Sequence, residues 1–345
     1  MSAPLWSTQE AALATGGVAG GDWRANDVSI DSRSCGPGDL FVALRGDARD
    51  GHLFVADALA RGAVAAMVDH LPSGVSADAP LLRVGDTLTA LNSLAAAARA
   101  RCAARIVAVT GSAGKTGSKE MLLAALARQA RAHASAASYN NHWGVPLSLA
   151  RMPRDTEFGV FEIGMNHAGE ITPLSKLVRP DVAIITTIAP AHAGNFNSLT
   201  EIAEAKAEIF AGLQPGGVAI LNRDNEFFDL LALRAAGAGQ VIGFGASPQA
   251  QARLIKAVHH AGCSCIAAEI CGQKLTYKIG LPGEHWAMNS LAVLAAVSAL
   301  GADLALAALG LGEMQPLAGR GRRYQLPVSD GSFILIDESY NANPL

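Results

Sequence analysis

The chain has 345 residues, half of them hydrophobic and 17% charged, with a net charge of −3. That length is more than one core fills and predicts two or three domains, while the apolar content excludes wholesale disorder. The near-neutral charge excludes a general attraction to nucleic acid or to an anionic membrane, so any recognition of phosphate is local.

Met1 to Gln9 shows no basic patch followed by an apolar core, and no secretory signal is expected there. From Asp27 the sequence runs VSIDSRSCGPGDLFVAL, in which short apolar strands are separated by turn residues at Cys35 to Asp39. Phe54 to Arg61 reads as helix and Ala63 to Val68 as strand, and residues 1–84 are expected to form a small α/β domain. A helical pattern from Leu88 to Ala103 then leads to the strand Ile106-Val107-Ala108-Val109-Thr110, a glycine-rich turn, and a helix over Gly117 to Ala130. Apolar strands at Phe158 to Ile163, Val182 to Thr186 and Gly217 to Leu221, with a helix at Leu199 to Ala211, predict a mostly parallel sheet covered on both faces.

Arg253 to Ile279 changes to shorter alternating strands, an antiparallel edge or hairpins, and His285 to Leu300 returns to helix. The apolar run from Leu291 to Ala302 is too short for a membrane span and reads as a buried helix. Residues 85–315 are therefore expected to be a central domain. Ala318 to Arg323 looks like a linker, and Phe333 to Asp337 like a parallel strand that opens a new domain. Such a strand needs a helix and further strands to cover it, so residues 316–345 are expected to be the start of an incomplete Rossmann-like third domain. Cys35, Cys102, Cys263, Cys265 and Cys271 lack the paired spacing and His partners of a zinc site and read as reduced thiols of a cytoplasmic protein.

The segment Thr110-Gly111-Ser112-Ala113-Gly114-Lys115-Thr116 fits a phosphate-binding loop, although Val109 stands where the common pattern begins with glycine. Backbone N–H groups of Gly111, Ser112 and Gly114 would cradle phosphate oxygens, Lys115 would add charge, and the Thr116 hydroxyl would reach magnesium. By residues alone the segment is open to a kinase, an ATPase motor, a ligase or an ordinary strand-to-helix turn. Glu162 ends an apolar strand, where open α/β sheets place their ligand crevice, and reads either as a magnesium carboxylate or as a solvated strand-end acid. His192 follows another strand end and by itself reads as structural.

TGSAGKT, SYNNHWGVP, FEIGMNHAGEI, APAHAGNF, EAKAEIF, GEHWAMNSLAVLAA, GRGRR and IDESYNANP occur in this order, and together they resemble the Mur ligases. The resemblance extends from SIDSRSCGPGDLFVALRGDARDGH to the last residue. NNHWGVP, EIGMNHAGEI and YNANP are similar to the members that add D-alanyl-D-alanine to UDP-N-acetylmuramoyl-tripeptide. It implies a cytoplasmic, monomeric, ATP- and Mg2+-dependent ligase of peptidoglycan synthesis, with those two compounds as substrates, no nucleic acid and no membrane insertion. It also implies that the carboxylate of the tripeptide is activated as an acyl phosphate and then attacked by the dipeptide amine.

Residue by residue, the resemblance implies that Lys115 contacts the ATP phosphates, that Thr116 and Glu162 hold one magnesium, and that His192 lies near a second. Lys206 resembles a lysine that is carbamylated in several relatives, although as a bare feature it reads as a solvated helical side chain. Asn289, Arg320, Asp337, Tyr340 and Asn341 are implied on the nucleotide side. Ser32 and Arg33, with Asp50-Gly51-His52, are implied to receive the uridine nucleotide, and Asn140 and Asn141 to face the sugar-peptide. Gly117 stands where relatives commonly carry Thr or Ser and is expected to loosen the first helical turn. Two weaker alternatives are a nucleotide- and substrate-binding fragment lacking complete catalysis, and a folate-type glutamate ligase, which would lack the first domain.

Overall fold

The computed structural model describes residues 4–46, 49–136, 138–190, 195–316, 319 and 321–339. The chain forms two compact units, each drawing on separated stretches of sequence.

The first unit comprises Met1–Ala108, Arg131–Asp181 and Glu208–Pro215. Its five-stranded sheet runs in the order Val18–Ala19, Leu81–Arg83, Ala65–Val68, Asp39–Val42, Asp27–Ser29; the first pairing is antiparallel and the rest are parallel. Side chains alternate across a strand, so Leu40 and Val42 join one core with Met67, Leu82 and the helix residues Leu91 and Leu94. Phe41 and Ala43 point the other way, into a second core with Val68, Val55 and Ala58. The helix Thr87–Ala100 starts where the Asp86 carboxylate accepts the Thr89 N–H at 2.7 Å. The first core also takes in Leu147 and Ala150 of the helix Gly144–Ala150 and the indole of Trp6, which donates to the Ala150 carbonyl at 2.9 Å. In the same unit Ala132–Ala134 pairs in parallel with Phe158–Glu162, which brings Glu162 to the end of a fully buried strand.

The second unit comprises Val109–Ala130, Val182–Ala207 and Gly216–Leu345. Val182–Ile185, Val218–Asn222, Gln240–Gly245 and Ala252–His259 are successive parallel neighbours, and Ser264–Ile270 and Gln273–Ile279 extend them as an antiparallel meander. The α/β class with mostly parallel pairing and an antiparallel edge is therefore as the sequence predicts. The helix Glu284–Ala299 buries residues on all sides, from Trp286 to Val297, as a core helix does. Among the described residues no helix is long and apolar enough to cross a membrane. All five cysteines are free thiols.

Several expectations are corrected. The helix after the glycine turn is Lys115–Ala127, beginning two residues before Gly117, because Gly114 at φ 82° reverses the chain directly ahead of Lys115. Arg322 and Arg323 lie in the strand Arg322–Val328 and not in a linker. The expected parallel strand is Gly331–Asp337, half of an antiparallel hairpin with Arg322–Val328. The two residues Ser329-Asp330 between Val328 and Gly331 form its turn, and a loop that short can join only antiparallel strands.

Gly117 packs directly against Trp286. A Cβ there would stand 2.8 Å from Cζ3 and 3.0 Å from Cη2 of Trp286, so the buried indole occupies the space that a side chain would need. Gly117→Ser is expected to lower stability by about 1–3 kcal/mol through overpacking, and Trp286→Leu to recover most of that loss in the double variant. Denaturant unfolding of the two single variants and the double variant checks this; additive losses would show that the two positions do not share one space.

Candidate functional site

The glycine turn that leads into the helix Lys115–Ala127 is closed in by its neighbours. Gly111 adopts φ 146° and Gly114 φ 82°. A Cβ at Gly111 would lie 1.9 Å from Thr186 Oγ1, and one at Gly114 would lie 2.7 Å from Asn289 Nδ2. Only glycine gives this backbone path together with this close approach, and the path leads into a helix N-terminus, the positive end of the peptide dipoles. Thr186 holds the turn from the strand Val182–Ile185: its hydroxyl donates to the Ala113 carbonyl at 2.5 Å and its N–H to the Thr110 carbonyl at 3.0 Å. Ser112 gives its N–H to the Thr187 carbonyl and its hydroxyl to the Ala189 carbonyl, both at 2.9 Å, and accepts the Ala189 N–H at 3.0 Å. Its donors thus hold the loop in shape. Asn225 in turn donates its amide to the Ile188 carbonyl at 2.9 Å.

Two lysines meet beside this turn. Lys115 Nζ donates to the Gly111 carbonyl at 2.7 Å. Lys206, on the helix Leu199–Ala207, is only 1% exposed, which corrects its reading as a solvated side chain. Burial first, and then the charge of Lys115, push its amine down to about 7. Neighbouring cations at the mouth of a glycine cradle call for an anion, and a nucleotide phosphate fits both the charge and the backbone geometry.

The carboxylate that the sequence singled out lies in the first unit. Glu162 is 1% exposed; Asn140 Nδ2 donates to its Oε1 at 2.6 Å, and its own N–H reaches Ser135 Oγ at 3.3 Å. A buried carboxylate at a strand end, held in position by an amide, is a donor suited to a hard cation such as magnesium. Asn141 does different work: its Oδ1 accepts the Gly144 N–H at 2.9 Å and caps the helix Gly144–Ala150.

The remaining predicted positions are spread more widely. Asn289 lies against Gly114. Asp337 accepts the Ser339 hydroxyl at 2.6 Å and the Gly319 N–H at 3.2 Å, and the Ser339 bonds hold its carboxyl below the usual range. Arg33 is exposed and folded onto Asp31, Nη2 to Oδ2 2.7 Å, beside Ser32. His52 is buried, with Nδ1 2.6 Å from Asp50 Oδ1 and Nε2 accepting the Asp69 N–H at 3.2 Å. His52, Asp69 and His70 are close enough to share a metal, but the Arg45 guanidinium already stands 2.9 Å from Asp69 and 3.3 Å from His70 as their cation. His192, Arg320, Tyr340 and Asn341 lie outside the described residues. Thr186, Asn225 and Trp286 were not singled out from sequence; of these only Thr186 carried a signal, a polar residue ending an apolar strand as Glu162 does.

Comparison with known proteins places these features in a family. The description "Mur ligase middle domain" matches residues 109–297, and "Mur ligase family, catalytic domain" matches residues 25–99. The chain is 37% identical to UDP-N-acetylmuramoyl-tripeptide--D-alanyl-D-alanine ligase of Escherichia coli over 96% of this chain and 72% of that one. A crystal structure of MurF from Acinetobacter baumannii superposes with a TM-score of 0.85 at 32% identity, covering 98% of this chain and 74% of that one. MurF from Thermotoga maritima in complex with ADP gives 0.72 at 26% identity, over 92% of this chain and 72% of that one.

Lys206 gives the fold a pH signature. Its value near 7 in the folded chain lies below the ordinary 10.5, so between those values the unfolded chain holds a proton that the folded chain lacks. The contribution of Lys206 to stability is therefore least favourable below pH 7 and rises as pH increases through that window. Melting temperature measured from pH 7 to 10 should carry this rise in the native chain and lose it in Lys206→Met, with Lys115→Ala narrowing the window by raising the Lys206 value. An unchanged profile in Lys206→Met would show that the buried amine is not its source.

Proposed function

This chain belongs to the Mur ligase family, and from that premise we propose that it joins D-alanyl-D-alanine to UDP-N-acetylmuramoyl-tripeptide, driven by ATP, in peptidoglycan precursor synthesis. The observation that carries the reading is a glycine-constrained phosphate turn, flanked by two lysines, inside a chain that aligns over 96% of its length with a relative of that name. We take residues 1–84 as the part that receives the uridine nucleotide, through Ser32, Arg33 and the Asp50-Gly51-His52 segment. Residues 85–315 are taken as the ATP-binding part, and 316–345 as the beginning of a third. ATP and uridine-linked precursors are cytoplasmic compounds, and the protein is assigned there as a monomer.

The backbone amides of the glycine turn and the helix start at Lys115 orient the phosphates, and Lys115 offsets the repulsion when the tripeptide carboxylate attacks the γ-phosphate. That step forms the acyl–phosphate bond and releases ADP; the dipeptide amine then adds to the acyl carbon, and the tetrahedral intermediate collapses to the amide and phosphate. Magnesium, when bound, would supply positive charge that offsets the anionic phosphates. Thr116 and Glu162 are assigned as its protein ligands and His192 to a second ion. With its proton affinity lowered to about 7, Lys206 offers more neutral amine than an ordinary lysine does, the form that adds CO2 and loses a proton to become a carbamate. Asn289, Arg320, Asp337, Tyr340 and Asn341 are assigned to the nucleotide, and Asn140 and Asn141 to the sugar-peptide side.

Phosphate release from ATP with magnesium, UDP-N-acetylmuramoyl-tripeptide and D-alanyl-D-alanine tests the reading. Release is expected to require both substrates and to fall by about a hundredfold or more in Lys115→Ala. Release that persists without the dipeptide, or that needs a folate in place of the uridine nucleotide, would overturn it.

A further inference from the structure

We propose that Asn140 is a positioning residue for the Glu162 carboxylate, orienting it for magnesium through the amide that holds Oε1; this rests on the magnesium role assigned to Glu162 above. A buried carboxylate can only accept hydrogen bonds, and its orientation is set by whichever donors reach it. Asn140 Nδ2 reaches Oε1 at 2.6 Å, short enough for a charge-assisted bond. Because the acceptor is a carboxylate, it is the amide nitrogen that faces it, and the side chain has one productive orientation.

The surroundings hold Asn140 in that orientation. Its carbonyl accepts the Gly164 N–H at 2.8 Å, tying residue 140 to the chain just beyond Glu162. Gly164 also leaves room for the amide: a Cβ there would stand 2.8 Å from Cγ, 2.9 Å from Oδ1 and 3.0 Å from Nδ2 of Asn140. On the other side, Asn141 fixes the turn by capping Gly144, and a Cβ at Gly144 would stand 2.7 Å from the carbonyl carbon of Tyr139. The two glycines thus leave the space that the Asn140 amide and the Tyr139 backbone occupy. The adjacent asparagines divide the work, Asn140 orienting the acid and Asn141 starting a helix. An aspartate at position 140 would set two anions against each other, and an aliphatic side chain would take the amide donor away from Oε1.

The test measures Mn2+ binding to the protein with ADP by electron paramagnetic resonance, and ADP affinity in EDTA by calorimetry. Asn140→Leu is expected to weaken the Mn2+ constant about 10- to 100-fold, approaching Glu162→Gln, with metal-free ADP affinity unchanged. Gly164→Ala, which pushes the amide aside and removes neither polar group, should weaken it in the same direction; it carries the test if Asn140→Leu fails to fold. Substitutions at 140 and 164 that leave the Mn2+ constant within about twofold, while Glu162→Gln weakens it, would overturn the proposal. An unchanged constant in Glu162→Gln as well would remove the metal role of Glu162 and the proposal with it, while the ligase reading would still be decided by phosphate release.

Discussion

The structure turns on a single steric condition: at Gly111 the backbone passes so close to the Thr186 hydroxyl that no side chain fits between them. From that approach follow the bond from Thr186 to the Ala113 carbonyl, the reversal at Gly114, and the start of a helix at Lys115 with its N–H groups turned toward the loop. Ser112 and Asn225 secure the same arrangement from the 187–189 segment.

Charge is handled differently in the two units. In the second, Lys206 is taken out of water beside another lysine, and the fold tolerates it by depressing its proton affinity. In the first, Glu162 is equally withdrawn but is matched by the Asn140 amide. One site is thus left wanting negative charge, while the other presents negative charge already oriented. The Arg45, Asp69, His52 and His70 cluster differs from both, because its charges are matched internally and it has no such demand.

Much of this could be read from the residues. Period-two burial at Leu40 to Ala43, the near-continuous apolar strand Val182–Ile185 and the glycine turn before Lys115 are local patterns, and local patterns are what a sequence displays. The strand near Phe333 was legible too, but its direction was not: whether it opens a parallel sheet or closes a hairpin depended on Ser329-Asp330 bringing it back along Arg322–Val328. The packing at Gly117 was not legible for a similar reason. Its effect depends on Trp286, which is remote in the chain and adjacent in space.

The sequence by itself determined the α/β class, the glycine turn, the strand-end acid and the family, because each is written in contiguous residues or in short motifs kept in order. Only the tertiary structure decided that Lys206 is buried beside Lys115, that Ser112 serves the loop, and that Asn140 faces Glu162. Those facts depend on which distant segments come within a few ångströms of one another, and burial and hydrogen-bond geometry set the chemistry of a charged group more strongly than its neighbours along the chain do.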